Sequence, residues 1–74
     1  NTTSASDAGV AGLAAQAGLE GAALNVLINL GSIADKAFAS RCSTEIERVV
    51  ADGRRIRDAI LARVTSTIAV KAAM

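Results

Sequence analysis

Hydrophobic residues fill the first half of the chain almost without interruption and recur at helical spacing in the second half. The apolar run from Ala8 to about Leu30 contains no proline. Its polar interruptions are Gln16, Glu20, Asn25 and Asn29. No segment alternates between polar and apolar residues in the way a half-buried strand does. This pattern predicts an all-α fold.

Capping signals divide the chain into three predicted helices. Gly31 is suited to end the first helix, and Ser32 followed three residues later by Asp35 is suited to begin the next. Ser43 and Thr44 then offer a break before the last helix. The predicted helices run over about 7–30, 33–42 and 44–72.

The long last helix is amphipathic. Its apolar positions recur mainly at steps of three and four and form one stripe: Ile46, Val49, Val50, Gly53, Ile56, Ile60, Val64 and Ile68. Such a stripe packs against another helix. We therefore expect a single helical domain over 1–74, a helical hairpin or small bundle, with residues 1–6 as a flexible leader.

The first helix is apolar on nearly all sides, which is typical of a helix buried in protein or in lipid. A chain of 74 residues leaves too little protein to surround it, so an oligomer or a membrane is expected to cover the rest. Between Ala8 and Ala23, 11 of 16 residues are alanine or glycine, which lets helices approach closely. The predicted membrane or oligomer surface comprises Val10, Leu13, Ala17, Gly18, Gly21, Leu24, Leu27 and Ile28.

Two further features single out individual side chains. Glu20 lies in the apolar first helix, and Arg57 lies in the apolar arc of the last helix. If these helices run antiparallel, the two residues face each other, which predicts a partly buried ion pair that fixes the register. Cys42 is the single cysteine; it is either a small buried hydrophobe or one half of an intermolecular disulfide.

Composition excludes most chemistries. The chain has no histidine and one cysteine, so it cannot build a Ser/His/Asp triad or a zinc site, and no glycine-rich phosphate loop is present. We therefore expect a protein that is not an enzyme and that uses no metal or cofactor. The net charge of +1 disfavours nucleic acid as a partner, although four arginines could bind it: Arg54, Arg55, Arg57 and Arg63.

The Gly/Ala-rich helix Ala8–Ile28, the start Asn1-Thr2-Thr3 and the unmatched Cys42 resemble a subunit of a secreted, in some cases virally encoded, fungal killer toxin. The resemblance implies a secreted, membrane-active antifungal toxin whose first helix oligomerises or inserts into target membranes. Its partners would be itself, a second toxin subunit or the target membrane. The alternative is a non-enzymatic structural or interaction module that forms an obligate helical oligomer.

Overall fold

The computed structural model describes residues 1–73, the side chains of Lys71 and Ala73 excepted. It contains two α-helices, α1 (Thr2–Leu30) and α2 (Lys36–Ala73), which pack against each other as an antiparallel hairpin. The hairpin measures 60 × 15 × 11 Å, and its radius of gyration is 17.1 Å. A compact domain of this length has a radius of gyration of about 11 Å. The predicted all-α hairpin is therefore confirmed, in a markedly elongated form.

The first helix begins at the start of the chain. Asn1 caps it, because the Oδ1 atom of Asn1 accepts a hydrogen bond of 2.8 Å from the backbone N–H of Ser4. The backbone N–H of Ala5 donates to the carbonyl of Asn1 over 3.0 Å. Asparagine is among the best capping residues, so the segment predicted to be a flexible leader, 1–6, is helical from Thr2.

The chain reverses once, between the two helices. Gly31 is the C-cap of α1, as predicted, but its backbone is right-handed, with φ −60°. Asp35 then begins α2, because its Oδ1 atom accepts a hydrogen bond of 3.0 Å from the N–H of Phe38. The predicted helices over 33–42 and 44–72 form one continuous helix, and Ser43 and Thr44 lie inside it. A serine or threonine is only weakly unfavourable inside a helix, so it does not end one that packs on a neighbour throughout.

Small residues allow the two helices to approach each other closely. A Cβ atom placed at Gly9 would lie 3.3 Å from a methyl group of Val64, and one at Gly12 would lie 3.4 Å from Ile60. The buried side chains among the described residues are Ala23 and Gln16, and no large side chain is fully buried. The hairpin therefore has a thin seam of contact rather than a closed core.

Candidate functional site

A polar cluster crosses the middle of this seam. Gln16 of α1 is only 4% exposed, and its Nε2 atom donates a hydrogen bond of 3.3 Å to the carbonyl oxygen of Val50 in α2. One turn further along α1, the carboxylate of Glu20 forms an ion pair with the guanidinium of Arg54. These two contacts join the helices through polar groups in the middle of the seam.

Gly53 makes room for this cluster. A Cβ atom at Gly53 would overlap the Oε1 atom of Gln16 and lie 2.7 Å from the Cδ2 atom of Leu19. Real Cβ atoms do not approach other atoms so closely. The absence of a side chain at position 53 is therefore what allows Gln16 to lie between the helices and reach Val50.

An open groove of about 330 Å³ lies beside the cluster. Its walls are mainly apolar, and they carry two carboxylates and one guanidinium. The lining residues are Glu20, Ala23, Leu24, Leu27, Ile46, Glu47, Val50 and Arg54. A groove of this kind combines flat apolar contact with a fixed charge, which is the usual composition of a small-molecule site.

The carboxylate of Glu20 is held in its ionised form. A hydrogen bond from Arg54 lowers the pKa of Glu20 below its usual value, against partial desolvation, which raises it. The charge of Arg54 lowers this pKa further, and Gln16 and the charge of Arg57 contribute in the same direction. At neutral pH the groove therefore carries an ionised Glu20 carboxylate that is paired with the guanidinium of Arg54.

The partner predicted for Glu20 is corrected by this arrangement. Glu20 pairs with Arg54, whereas the Nη2 atom of Arg57 lies 3.0 Å from the Oδ1 atom of Asp58. The prediction assumed a short separate helix between the two paired helices. Since α2 begins directly after a short turn over 31–35, the register moves by about one helical turn and brings Arg54 opposite Glu20.

The predicted membrane or oligomer surface on α1 is largely solvent-exposed. Val10 is 62% exposed, Leu24 67% and Ile28 76%, and Cβ atoms placed at Gly18 or Gly21 would meet nothing within 4 Å. The remaining members, Leu13, Ala17 and Leu27, are also exposed. By length and composition α1 could cross a membrane, a property that it shares with the core helices of globular bundles.

Cys42 and Arg55, which the sequence also singled out, do not line the groove. Cys42 is a free, half-buried thiol, so the intermolecular disulfide stays a prediction. Of the four arginines considered for nucleic-acid binding, Arg55 pairs with Asp52, with 2.9 Å between its Nη2 atom and the Oδ1 atom of Asp52. No group of three potential metal ligands occurs in the part of the chain that the structure describes.

Sequence reasoning missed Gln16 and Gly53. Gln16 was treated as one polar interruption of an apolar helix, and Gly53 as one member of an apolar stripe. A signal was available in both cases. An uncharged amide inside an apolar run needs a hydrogen-bond partner, and a glycine in a helix interior costs about 1 kcal/mol unless close packing requires it.

Comparison with known proteins identifies relatives of this hairpin. The family model described as "Formiminotransferase-cyclodeaminase" matches residues 1–48. The methenyltetrahydrofolate cyclohydrolase of Methylorubrum extorquens is 43% identical over 63 residues, which are 85% of this chain and 30% of that protein. The chain thus spans about a third of the length of this relative. No solved structure matches the chain.

These matches overturn the functional predictions made from the sequence. The resemblance to a fungal killer toxin was compositional, and the matched family contains enzymes that act on a folate. The predictions of a secreted, virus-encoded, antifungal or membrane-active toxin are therefore wrong, and the alternative of a non-enzymatic structural module is not supported either. The expectation that the protein is not an enzyme is wrong for the same reason: it assumed that catalysis needs histidine or a metal.

Proposed function

The chain belongs to the formiminotransferase-cyclodeaminase family, and from that premise we propose that it forms part of an enzyme that hydrolyses the methenyl group of a methenyltetrahydrofolate. The observation that carries the proposal is the 43% identity to a methenyltetrahydrofolate cyclohydrolase over 63 residues. That stretch is 85% of the chain, long enough to require both helices of the hairpin.

The chemistry of such a substrate sets what a site must provide. The methenyl carbon bridges two nitrogen atoms as a positively charged amidinium. Water adds to this carbon and releases one proton to solvent, one C–N bond breaks as the C=O bond forms, the remaining hydroxyl proton moves to the departing nitrogen, and a formyl group remains on the other nitrogen. A site therefore needs an anionic group near the cation, a flat apolar surface for the rings, and an ordered water molecule.

The groove beside Glu20 provides the first two of these. Leu24, Leu27 and Val50 supply apolar walls, and Glu20 supplies a carboxylate among the lining residues. Because Arg54 lowers the pKa of Glu20, this carboxylate is a weak base at neutral pH. We assign it an electrostatic role, stabilising the cationic bridge in the substrate complex and in the approach of water, rather than the role of a general base.

The groove is open, so helices outside this hairpin must complete it. The hairpin corresponds to 30% of the length of the cyclohydrolase, which leaves ample chain in such an enzyme for the missing walls. In this proposal the hairpin supplies Glu20 and one apolar side of the site, and Gln16 and Arg54 position the carboxylate.

The test compares two carboxylates that are both paired with arginine. Glu20→Gln keeps the size of the side chain and removes its charge in the groove. Glu45→Gln does the same on the opposite side of α2, where Glu45 pairs with Arg48 and is 59% exposed. The measurement is the rate of loss of the methenyl chromophore with the enzyme that contains this chain.

We expect Glu20→Gln to lower kcat at least tenfold and Glu45→Gln to leave it within twofold. Circular dichroism should show the same helix content for both variants. A second measurement titrates the protein with tetrahydrofolate and follows NMR shifts, which should move at Leu24, Leu27 and Val50. Equal kcat values for the two variants, or shifts that avoid the groove, would contradict the assignment of the site.

A further inference from the structure

The groove is lined by a second carboxylate, that of Glu47, besides the carboxylate of Glu20. Within the part of the chain that the structure describes, Glu47 forms no ion pair. The residues one turn away from it along α2 are uncharged, so no neighbour on the same helix face can neutralise it: Ser43, Thr44, Val50 and Ala51. Glu47 therefore adds an uncompensated negative charge to the lining of the groove.

Glu47 differs in this respect from the other acidic residues of α2. Each of the others pairs with an arginine of the same helix: Glu45 with Arg48, Asp52 with Arg48 and Arg55, and Asp58 with Arg57. The carboxylate of Glu20 in α1 is likewise paired, with Arg54. The groove, lined by Glu20, Glu47 and Arg54, thus has one negative charge more than it has positive charges. This balance suits a ligand that is cationic or rich in hydrogen-bond donors.

The position of Glu47 along α2 sets which part of a ligand it can reach. Glu47, Val50 and Arg54 recur at steps of three and four, so they lie in a row on the groove side of the helix. Glu47 and Arg54 are two helical turns apart, which is about 10 Å along the helix axis. Since Arg54 binds the carboxylate of Glu20, the two carboxylates are placed to contact different parts of one flat ligand, with Val50 between them.

The substrate of the proposed reaction has an edge that matches such a carboxylate. Its fused rings carry the cationic methenyl bridge at one end and a 2-aminopyrimidinone at the other. The pyrimidinone presents two adjacent N–H donors, one from the amino group and one from a ring nitrogen. A carboxylate has two oxygens that accept such a pair side by side, and hydrogen bonds to an ionised acceptor are about twice as strong as neutral ones.

We propose that Glu47 binds the aminopyrimidinone edge of the folate ring system, while Glu20 faces the methenyl bridge. This assignment rests on the proposed function, because it places the same substrate in the same groove. Glu47 is then a substrate-binding residue, remote from the carbon that reacts. It selects a ring that carries both N–H donors, since a ring without them leaves the carboxylate without its partners.

The first test separates binding from catalysis in the enzyme that contains this chain. Glu47→Gln keeps the size of the side chain but replaces one acceptor by an NH₂ donor, which cannot accept from the ring. Glu45→Gln is the matched control, because Glu45 lies on the same helix, is 59% exposed and does not line the groove. Calorimetric titration with tetrahydrofolate should give a Kd at least tenfold higher for Glu47→Gln and within twofold for Glu45→Gln. At saturating methenyltetrahydrofolate, kcat should stay within threefold of wild type in both variants.

The second test uses the 2-desamino analogue of tetrahydrofolate, which lacks one of the two N–H donors. The wild-type enzyme should bind this analogue at least tenfold more weakly than tetrahydrofolate. In Glu47→Gln the two ligands should differ by less than threefold, because the acceptor that distinguishes them has been removed. Circular dichroism should show the same helix content for wild type and variant.

Three results would overturn the role of Glu47 in an enzyme that still hydrolyses methenyltetrahydrofolate. They are an unchanged Kd for tetrahydrofolate in Glu47→Gln, a preference of that variant for the amino group as strong as that of wild type, and a fall in kcat as large as that of Glu20→Gln. A wild-type enzyme that neither binds tetrahydrofolate nor hydrolyses methenyltetrahydrofolate would instead refute the proposed function, and the role of Glu47 with it.

Discussion

Gln16 of α1 packs directly against Gly53 of α2, in space that is free only because position 53 has no side chain. The amide of Gln16 occupies the space that a side chain at position 53 would fill, and it reaches the carbonyl of Val50 from there, 3.3 Å away. That carbonyl belongs to the backbone of α2 and has a second lone pair free to accept. Gly53 and the buried amide of Gln16 therefore depend on each other and form one structural unit.

The substitution Gly53→Ala sets the loss of space for Gln16 against the higher helix propensity of alanine. Alanine is about 1 kcal/mol better than glycine inside a helix, so a substitution without contacts would stabilise the protein. At position 53 the new methyl would displace Gln16 and Leu19, and overpacking costs about 1–3 kcal/mol. We expect a net loss of about 1 kcal/mol in the free energy of unfolding, measured by urea denaturation.

Gly18→Ala is the control for this experiment, because nothing lies within 4 Å of the position that its new methyl group would take. It should stabilise the protein by up to about 1 kcal/mol. Stabilisation by both substitutions would show that Gln16 does not need the space at Gly53.

Gln16→Leu should destabilise the hairpin while keeping an apolar side chain of similar size. The substitution removes the hydrogen bond to Val50 but leaves its carbonyl bonded within α2, so the loss should be about 1 kcal/mol in thermal or urea unfolding. Because Gln16 also lowers the pKa of Glu20, that pKa should rise. An unchanged pKa of Glu20 in this variant would show that Gln16 does not influence the Glu20 carboxylate.

Arg54→Ala should raise the pKa of Glu20 more than Arg57→Ala does. Arg54 gives Glu20 both its hydrogen bond and its nearest positive charge, whereas Arg57 acts only through a weaker charge effect. The measurement is an NMR titration of the Glu20 side-chain carboxyl carbon in each variant. A larger rise in the pKa of Glu20 in Arg57→Ala would instead support the Glu20–Arg57 ion pair predicted from the sequence.

The contribution of Glu20 to stability should depend on pH in the acid range. Its pKa in the folded state is lowered from 4.5, so the folded protein favours the ionised form. This contribution is present above pH 4.5 and is lost as the pH falls through the lowered pKa, where the carboxylate is protonated. The thermal midpoint of the wild-type protein should therefore fall in that window.

Glu20→Gln should reduce this fall without removing it, because the pKa of Glu45 is also lowered, by Arg48. A variant whose midpoint falls as steeply as that of the wild type would show that the pair with Arg54 does not stabilise the fold.

The helical nature of the chain could be predicted from its sequence, since apolar spacing and the absence of proline leave no alternative. The continuity of α2 through Ser43 and Thr44 could not be predicted, because local capping signals are worth little when a helix packs along its whole length. The wrong prediction of Arg57 as the partner of Glu20 followed from the assumed break. The short turn over 31–35 shifts the pairing of the two helices by about one helical turn, and this shift brings Arg54 rather than Arg57 opposite Glu20.

The function could not be derived from composition. Excluding histidine, metal ligands and phosphate loops removed common catalytic devices, but the role proposed for the Glu20 carboxylate needs none of them. Resemblance in glycine and alanine content was equally uninformative, because close helix packing favours small residues in any bundle.

The sequence by itself determined that the chain forms apolar helices with more hydrophobic surface than a hairpin can bury. Periodicity and composition act locally, so they can be read without a structure. Only the tertiary structure decided which residues meet across the seam: Gln16 with Gly53 and Val50, and Glu20 with Arg54. Those contacts depend on where the chain turns and on how closely the helices approach, and both are set by packing between residues far apart in the sequence.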